Sequence, residues 1–216
     1  MLYVIIPVVL SYLLGSISFA VIFSRLFTKR DVREEGSGNA GATNVIRTAG
    51  LLPGLLTFLF DALKGFAACF FGKLIFNSFA VVGSVFDLSV YVAFLCGVFC
   101  MLGHIFPIFF NFKGGKGVAV AVGIFSVCCP MAIILGLTCF AVCLLISKIV
   151  SLSSLLATVT VVICSGIFYN KSAAFLPQII LAAIMGILVF LKHSENIKRL
   201  LKGEEKKIGI GGKKNV

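Results

Sequence analysis

Long apolar stretches alternate with short polar islands along the whole chain. Crossing a bilayer takes about 20 apolar residues as a helix, and Leu2 to Phe27 supplies the first such stretch. A second runs from Leu51 to about Ala80, interrupted by Asp61 and Lys64, and a third from Leu88 to Phe110 follows a break near Gly83 to Asp87. Pro107 is expected to end or kink the third helix, because proline lacks the N–H that continues a helix. Gly117 to Val150 holds 34 residues, long for one crossing and short for two. Leu152 to Tyr169 and Ala174 to Leu191 close the series around a turn at Asn170 to Ser172.

Charge decides the ambiguous piece. The segment from Lys192 onward and the loop with Lys29, Arg30, Arg33 and Arg47 are both basic, which marks the cytoplasmic side. Both can be inside, with Lys113 and Lys116, only if Gly117 to Val150 crosses twice and turns near Cys129-Pro130. The two helices are then short or partly interfacial. Seven crossings follow, with Lys73 and Lys171 outside, Lys64 within a span and the remaining 16 of 19 basic residues cytoplasmic. The expected fold is an all-α integral membrane protein with seven transmembrane helices, N-terminus outside and C-terminus cytoplasmic. Residues 1–203 form one polytopic domain, and 204–216 a basic flexible cytoplasmic tail resting on anionic lipid.

Composition agrees: 60% of residues are hydrophobic, 12% are charged, and mean hydropathy is +1.13. The net charge of +11 does not suggest nucleic acid, since no basic stripe comes with a soluble fold. The eight cysteines all lie in apolar segments without a CxxC pair, so they read as small buried side chains. With the first basic residue at Arg25, the N-terminus is expected to be a retained span.

The polar islands carry the candidate chemistry. In EGSGNAGATNVIRTAG, Glu35 to Gly50, glycines let backbone N–H groups converge on an anion, while Ser37, Asn39, Thr43, Asn44 and Arg47 add donors suited to phosphate. A plain connector would not need that composition, and a nucleophilic Ser37 is disfavoured because no G-x-S-x-G elbow surrounds it. FKGGKG, Phe112 to Gly117, places Lys113 and Lys116 where a helix begins, a natural phosphate site, although the Walker spacing fails. HSENIKR, His193 to Arg199, follows the last span, with His193 read equally as a base or as an interfacial cap. His104 is as readily packing as chemistry, and neither histidine opens an H-x-x-x-x-D pattern, since Phe109 and Lys198 stand where the aspartate belongs. Asp61 and Lys64, three apart on a helix, form either a functional pair or a structural one.

Side by side, these islands resemble the bacterial acyl-phosphate:glycerol-3-phosphate acyltransferases (PlsY family). That family carries S-G-N-x-G-A-T-N-x-x-R, here Ser37 to Arg47, and G-H-x-F-P-x-F-x-x-F-K-G-G-K-G-V-A, here Gly103 to Ala119. It also carries H-x-x-N-I-x-R, here His193 to Arg199, and D-x-x-K-G, here Asp61 to Gly65. Val120 stands where the family usually has Thr, and Ser18 replaces a common Pro. The resemblance implies an enzyme of the bacterial inner membrane. It would move a fatty acyl group from a long-chain acyl phosphate to the sn-1 hydroxyl of glycerol 3-phosphate, giving lysophosphatidate and phosphate. No metal or cofactor is expected; the partners are the two substrates and the lipid bilayer, with no nucleic acid. Ser37, Arg47, Lys116, His193 and Asn196 are the catalytic candidates. Gly38, Asn39, Gly41, Thr43, Asn44, Asp61, Lys64, His104, Lys113, Gly114, Gly115 and Gly117 are the substrate-binding ones. A phosphate or organophosphate transporter is the rival reading, but no convincing internal repeat supports it.

Overall fold

The structure, a computed structural model, describes residues 2–79, 88–169 and 175–208. The break expected near Gly83 to Asp87, the turn at Asn170 to Ser172 and the tail from residue 209 lie outside the described residues. Within them the fold is helical throughout: α1 Leu2–Gly15, α2 Phe19–Thr28, α3 Ala42–Ala49, α4 Leu51–Phe79, α5 Leu88–Ile105, α6 Val118–Cys128, α7 Pro130–Ser147, α8 Val150–Tyr169, α9 Phe175–Lys192 and α10 Ser194–Leu201. Single helical turns at Val32–Glu34 and Ile108–Phe110 stand in the loops.

Five stretches among these are long and apolar enough to cross a membrane: Leu2–Thr28, Leu51–Ser78, Ser89–Phe110, Pro130–Ser147 and Val150–Phe168. A sixth arises if Gln178–Lys192 and Ser194–Leu201, bent by 61°, count together. The 11 residues of α6 rise about 16 Å, roughly half a hydrocarbon core. As the charge argument expects, α6 ends at Cys128 and α7 begins at Pro130, where a proline at the first helical position costs no hydrogen bond. The column Leu59, Leu63, Phe66, Phe70 and Leu74 on α4 stays exposed, as a lipid-facing surface would.

The first apolar stretch is not one continuous helix. It breaks at Ser16 to Ser18, and the buried Lys64 ammonium reaches into the break to donate to the carbonyls of Gly15 at 3.0 Å and Ile17 at 2.7 Å. A cation deep in an apolar helix thus satisfies backbone groups that the broken ladder frees. Helices elsewhere touch backbone to backbone. A Cβ on Gly65 would lie 2.3 Å from the Val120 carbonyl oxygen, and one on Gly123 would lie 1.8 Å from that of Ala62. This close approach of small residues clamps α4 against α6. It fixes the start of α6, and with it Lys116.

Candidate active site

The first island is held from its start. Arg33 forks onto Asp31 at 3.0 and 2.8 Å and donates to the Phe110 carbonyl at 2.9 Å, while Arg25 reaches Asp31 at 2.8 Å. These donors, Arg33 foremost, hold the Asp31 carboxyl well below the usual carboxylate range. Asn44 then ties the loop together: its Oδ1 accepts from the Ser37 N–H at 2.9 Å, and its Nδ2 donates to the Val32 and Glu35 carbonyls at 2.9 Å each. All of that buried amide is used inside the loop, so Asn44 shapes the anion loop and has no donor left over for a substrate. Ser37 and Arg47 differ. Both are exposed to the cavity described below, and neither side chain makes a hydrogen bond to the described residues.

The second island packs on His104, whose carbonyl accepts from the Gly115 N–H at 3.1 Å. A Cβ on Gly114 would fall 2.0 Å from that carbonyl oxygen, and one on Gly115 would fall 2.3 Å from His104 Nε2. Close packing therefore requires these two glycines. Gly117 has φ +84 and opens α6 in the left-handed region that favours glycine. His104 Nδ1 lies 3.1 Å from Lys64 Nζ, and Lys64 meets Asp61 at 2.8 Å with both side chains almost fully buried. The expected pair exists, and His104 joins it.

At the third island α9 ends at Lys192, and His193 stands at the N-cap position of α10 without a side-chain capping bond. His193 Nδ1 lies 2.8 Å from the Val189 carbonyl, so the proton sits on Nδ1 and Nε2 keeps its lone pair. Burial pushes the His193 pKa down to about 4; the charge of Lys116 acts the same way, against the Val189 bond and Glu205. Lys116 Nζ donates to Asn196 Oδ1, joining the second and third islands. Burial brings Lys116 down to about 8; Glu205 opposes this, and Arg199, Arg47 and Lys192 add to it.

Residues 204–208, the described part of the segment expected as a flexible tail, pack on the helices. Gly203 reverses the chain with φ +70, and Glu205 accepts from Asn196 Nδ2 at 2.5 Å, Arg199 Nε at 2.6 Å and Ser151 Oγ at 2.8 Å. Burial pushes the Glu205 carboxyl up, but those three donors outweigh it and hold the group below its ordinary value. Ile208 N–H also donates to the Lys148 carbonyl at 2.7 Å. A carboxylate is drawn in because its neighbours are cations and donors.

One cavity of about 700 Å³ joins the islands. Ser37, Gly38, Asn39, Gly41, Thr43, Asn44, Arg47, Asp61, His104, Gly114, Lys116, Gly117, His193 and Asn196 line it. Lys64, Lys113 and Gly115 do not. Lys64 is spent behind Asp61 on backbone carbonyls, Lys113 points to solvent, and Gly115 is packed under His104. The lining also includes Glu205, Arg199, Lys192, Ser151 and Ser154, which sequence reasoning did not select. Only Arg199 had a signal, as the closing residue of H-x-x-N-I-x-R. From this mouth the cavity continues between α6, α7, α8 and α9 along Val122, Phe125, Leu137, Val161, Met185 and Val189.

A cationic, N–H-rich mouth that opens onto an apolar bore defines a membrane protein for an amphiphile with an anionic head. The comparisons agree. The glycerol-3-phosphate acyltransferase family profile matches residues 5–203. Relatives include "Glycerol-3-phosphate acyltransferase 2" of Bacillus anthracis, 40% identical over 94% of this chain and 98% of that protein. "Glycerol-3-phosphate acyltransferase" of Idiomarina loihiensis is 44% identical over 91% of each chain. Two crystal structures of PlsY, an integral membrane glycerol 3-phosphate acyltransferase, share the fold. The glycerol 3-phosphate form has a TM-score of 0.81 at 35% identity, covering 95% of this chain and 96% of that one. The lysophosphatidic acid form has a TM-score of 0.79 at 34% identity, covering 95% of each. The chain belongs to the glycerol-3-phosphate acyltransferase family, a multi-pass membrane protein family.

Proposed function

We propose that this protein transfers a fatty acyl group from acyl phosphate to the sn-1 hydroxyl of glycerol 3-phosphate. The observation that carries this is the continuity of the cavity. Arg47, Lys116 and Ser37 stand at its mouth, and the apolar walls of α6 to α9 follow directly. A lipid-tailed acyl phosphate and a small phosphate ester need those two environments side by side.

In this reading Arg47, with two parallel donors, and Ser37 hold a phosphate, and Lys116 supplies positive charge where phosphate charge develops. Lys116, Asn196 and Glu205 act as one braced unit that places the glycerol hydroxyl near the acyl carbonyl. The hydroxyl oxygen bonds to the acyl carbon, and the bond from that carbon to the phosphate oxygen breaks. Lysophosphatidate forms and inorganic phosphate leaves. His193 Nε2 is the side-chain acceptor for the hydroxyl proton, and a phosphate oxygen of the donor is the alternative acceptor.

The topology belongs to the same proposal: seven spans in the bacterial inner membrane, with α6 and α9 among them, the N-terminus outside and the C-terminus cytoplasmic. All three islands share the cytoplasmic face, where both substrates are available. Residues 1–203 make up the catalytic domain, extended by the docked segment through Ile208. The test is purified protein in lipid vesicles given glycerol 3-phosphate and tetradecanoyl phosphate, with tetradecanoyl-CoA as the control donor. Lysophosphatidate and phosphate in equal amounts from the acyl phosphate alone support the reading. Transfer from the CoA ester alone, or uptake without transfer, contradicts it.

A further inference from the structure

The apolar bore has a floor. Its lining runs from His193, just past α9, back along α9 to Ala182, and on α8 from Val150 to Val162, although both helices continue well past Ala182 and Val162. At 1.5 Å per residue the runs are about 16 and 18 Å long, and with Gly186 seated against Thr158 and Val162 the two walls end at nearly the same depth. Gly186 lets α9 pack closely on α8 about two thirds of the way down, where a Cβ on it would lie 3.1 Å from a Val162 methyl and 3.7 Å from that of Thr158. On α6 the lining steps from Val118 to Val122, then to Phe125, the last residue of that helix to line the cavity. The Phe125 ring is buried, 3% exposed, and Phe94 of α5 meets it edge-on at 6.1 Å and 78°. Behind it Cys129 and Ala132 are closed to solvent, at 1% and 0% exposure. The deepest lining side chain of α6 is thus backed by a second buried ring, and an interior this dense does not yield space without repacking.

Resting on the acyl-transfer reading above, we infer that Phe125 sets the upper length of the acyl chain. An extended chain advances about 1.2 Å per bond, so about 16 Å takes about 13 to 14 carbons beyond the mouth. Decanoyl donors end short of the ring. Tetradecanoyl donors reach it, and octadecanoyl donors must bend or displace it. Val122 lies one turn nearer the mouth on the same face of α6, about 4.5 Å away, or about four carbons.

The experiment measures kcat/KM for octadecanoyl, tetradecanoyl and decanoyl phosphate with the full chain in lipid vesicles, and reads the ratios between donors. Ratios are insensitive to a general loss of active protein. In Phe125→Ala the octadecanoyl-to-decanoyl ratio is expected to rise at least tenfold. In Phe125→Leu, the milder trim that covers a poorly folding alanine variant, it is expected to rise in the same direction. In Val122→Phe the tetradecanoyl-to-decanoyl ratio is expected to fall at least tenfold. Wild-type ratios retained in Phe125→Leu and Val122→Phe overturn the inference, with acyl transfer itself intact. If the unaltered protein transfers none of the three chains, the acyl-transfer reading falls, and the length limit with it.

Discussion

Lys116 and Asn196, eighty positions apart in the chain, meet at the mouth of the cavity, where the lysine ammonium donates to the asparagine side-chain oxygen. Asn196 passes the connection on to Glu205 at 2.5 Å, and Glu205 is anchored by Arg199 and Ser151. The second and third islands are therefore one hydrogen-bonded unit, braced by a carboxylate from beyond the last helix.

Glu205→Gln tests that brace. The substitution keeps the shape but removes the charge that holds Asn196 and Arg199. Loss of one charge-assisted hydrogen bond costs roughly 1.5–3 kcal/mol, about 10- to 150-fold in catalytic efficiency. The loss is expected in kcat/KM for glycerol 3-phosphate, with the protein still folded by circular dichroism. Unchanged kinetics would make the docked carboxylate a packing feature only.

Lys116 predicts an alkaline limit. Its pKa is lowered to about 8, so the free enzyme loses this cation as pH rises through 8, and phosphate binding weakens there. A plot of kcat/KM for glycerol 3-phosphate against pH should bend downward near pH 8. Lys116→Arg, which keeps its charge to far higher pH, should lose the bend whatever its absolute rate. A bend that stays near pH 8 in the arginine variant belongs to another group.

His193 predicts the opposite limb. With its pKa pushed down to about 4, the ring is neutral at pH 7 and accepts a proton from solvent only as pH falls towards 4. If His193 takes the hydroxyl proton, kcat/KM falls on the acid side near pH 4, below the ordinary histidine range of about 6 to 7. His193→Gln then loses most turnover together with that limb. A modest loss with the limb retained assigns the proton to the phosphate of the donor.

Topology is tested by single cysteines placed in a cysteine-free protein at exposed positions, Lys29→Cys, Lys113→Cys and Lys202→Cys. All three are expected to react with a membrane-impermeant maleimide only from the cytoplasmic face. Reaction of any one from the outer face alone overturns the shared-face arrangement.

Much of this was legible in the chain because it follows from local rules. The pairing of Asp61 with Lys64 follows from their spacing on a helix, and the turn at Cys129-Pro130 from charge placement and proline. Ser37, Arg47, Lys116 and His193 stand out because polar residues are rare among such apolar neighbours. The break at Ser16 to Ser18 was not legible, since the lysine that satisfies it comes from 47 to 49 positions away. Glu205 was hidden beside Glu204 between Lys202 and Lys206, where a charged cluster looks like solvated surface. Its role depends on Asn196, Arg199 and Ser151 converging in space. Asn44 misled for a related reason: an asparagine in an anion loop reads as a ligand, and here its whole amide holds the loop.

The proposed reaction places acyl phosphate at the cationic mouth of this cavity. The most direct measurement compares the unaltered protein with Arg47→Lys, in lipid vesicles, with tetradecanoyl phosphate and glycerol 3-phosphate. Arginine offers two parallel bonds to phosphate where lysine offers a point charge. Lysophosphatidate formation is expected from the unaltered protein, with a loss of about 10- to 150-fold in kcat/KM for the variant, the equivalent of roughly 1.5–3 kcal/mol. Equal rates for the two proteins would contradict the proposal and move the reaction away from Arg47.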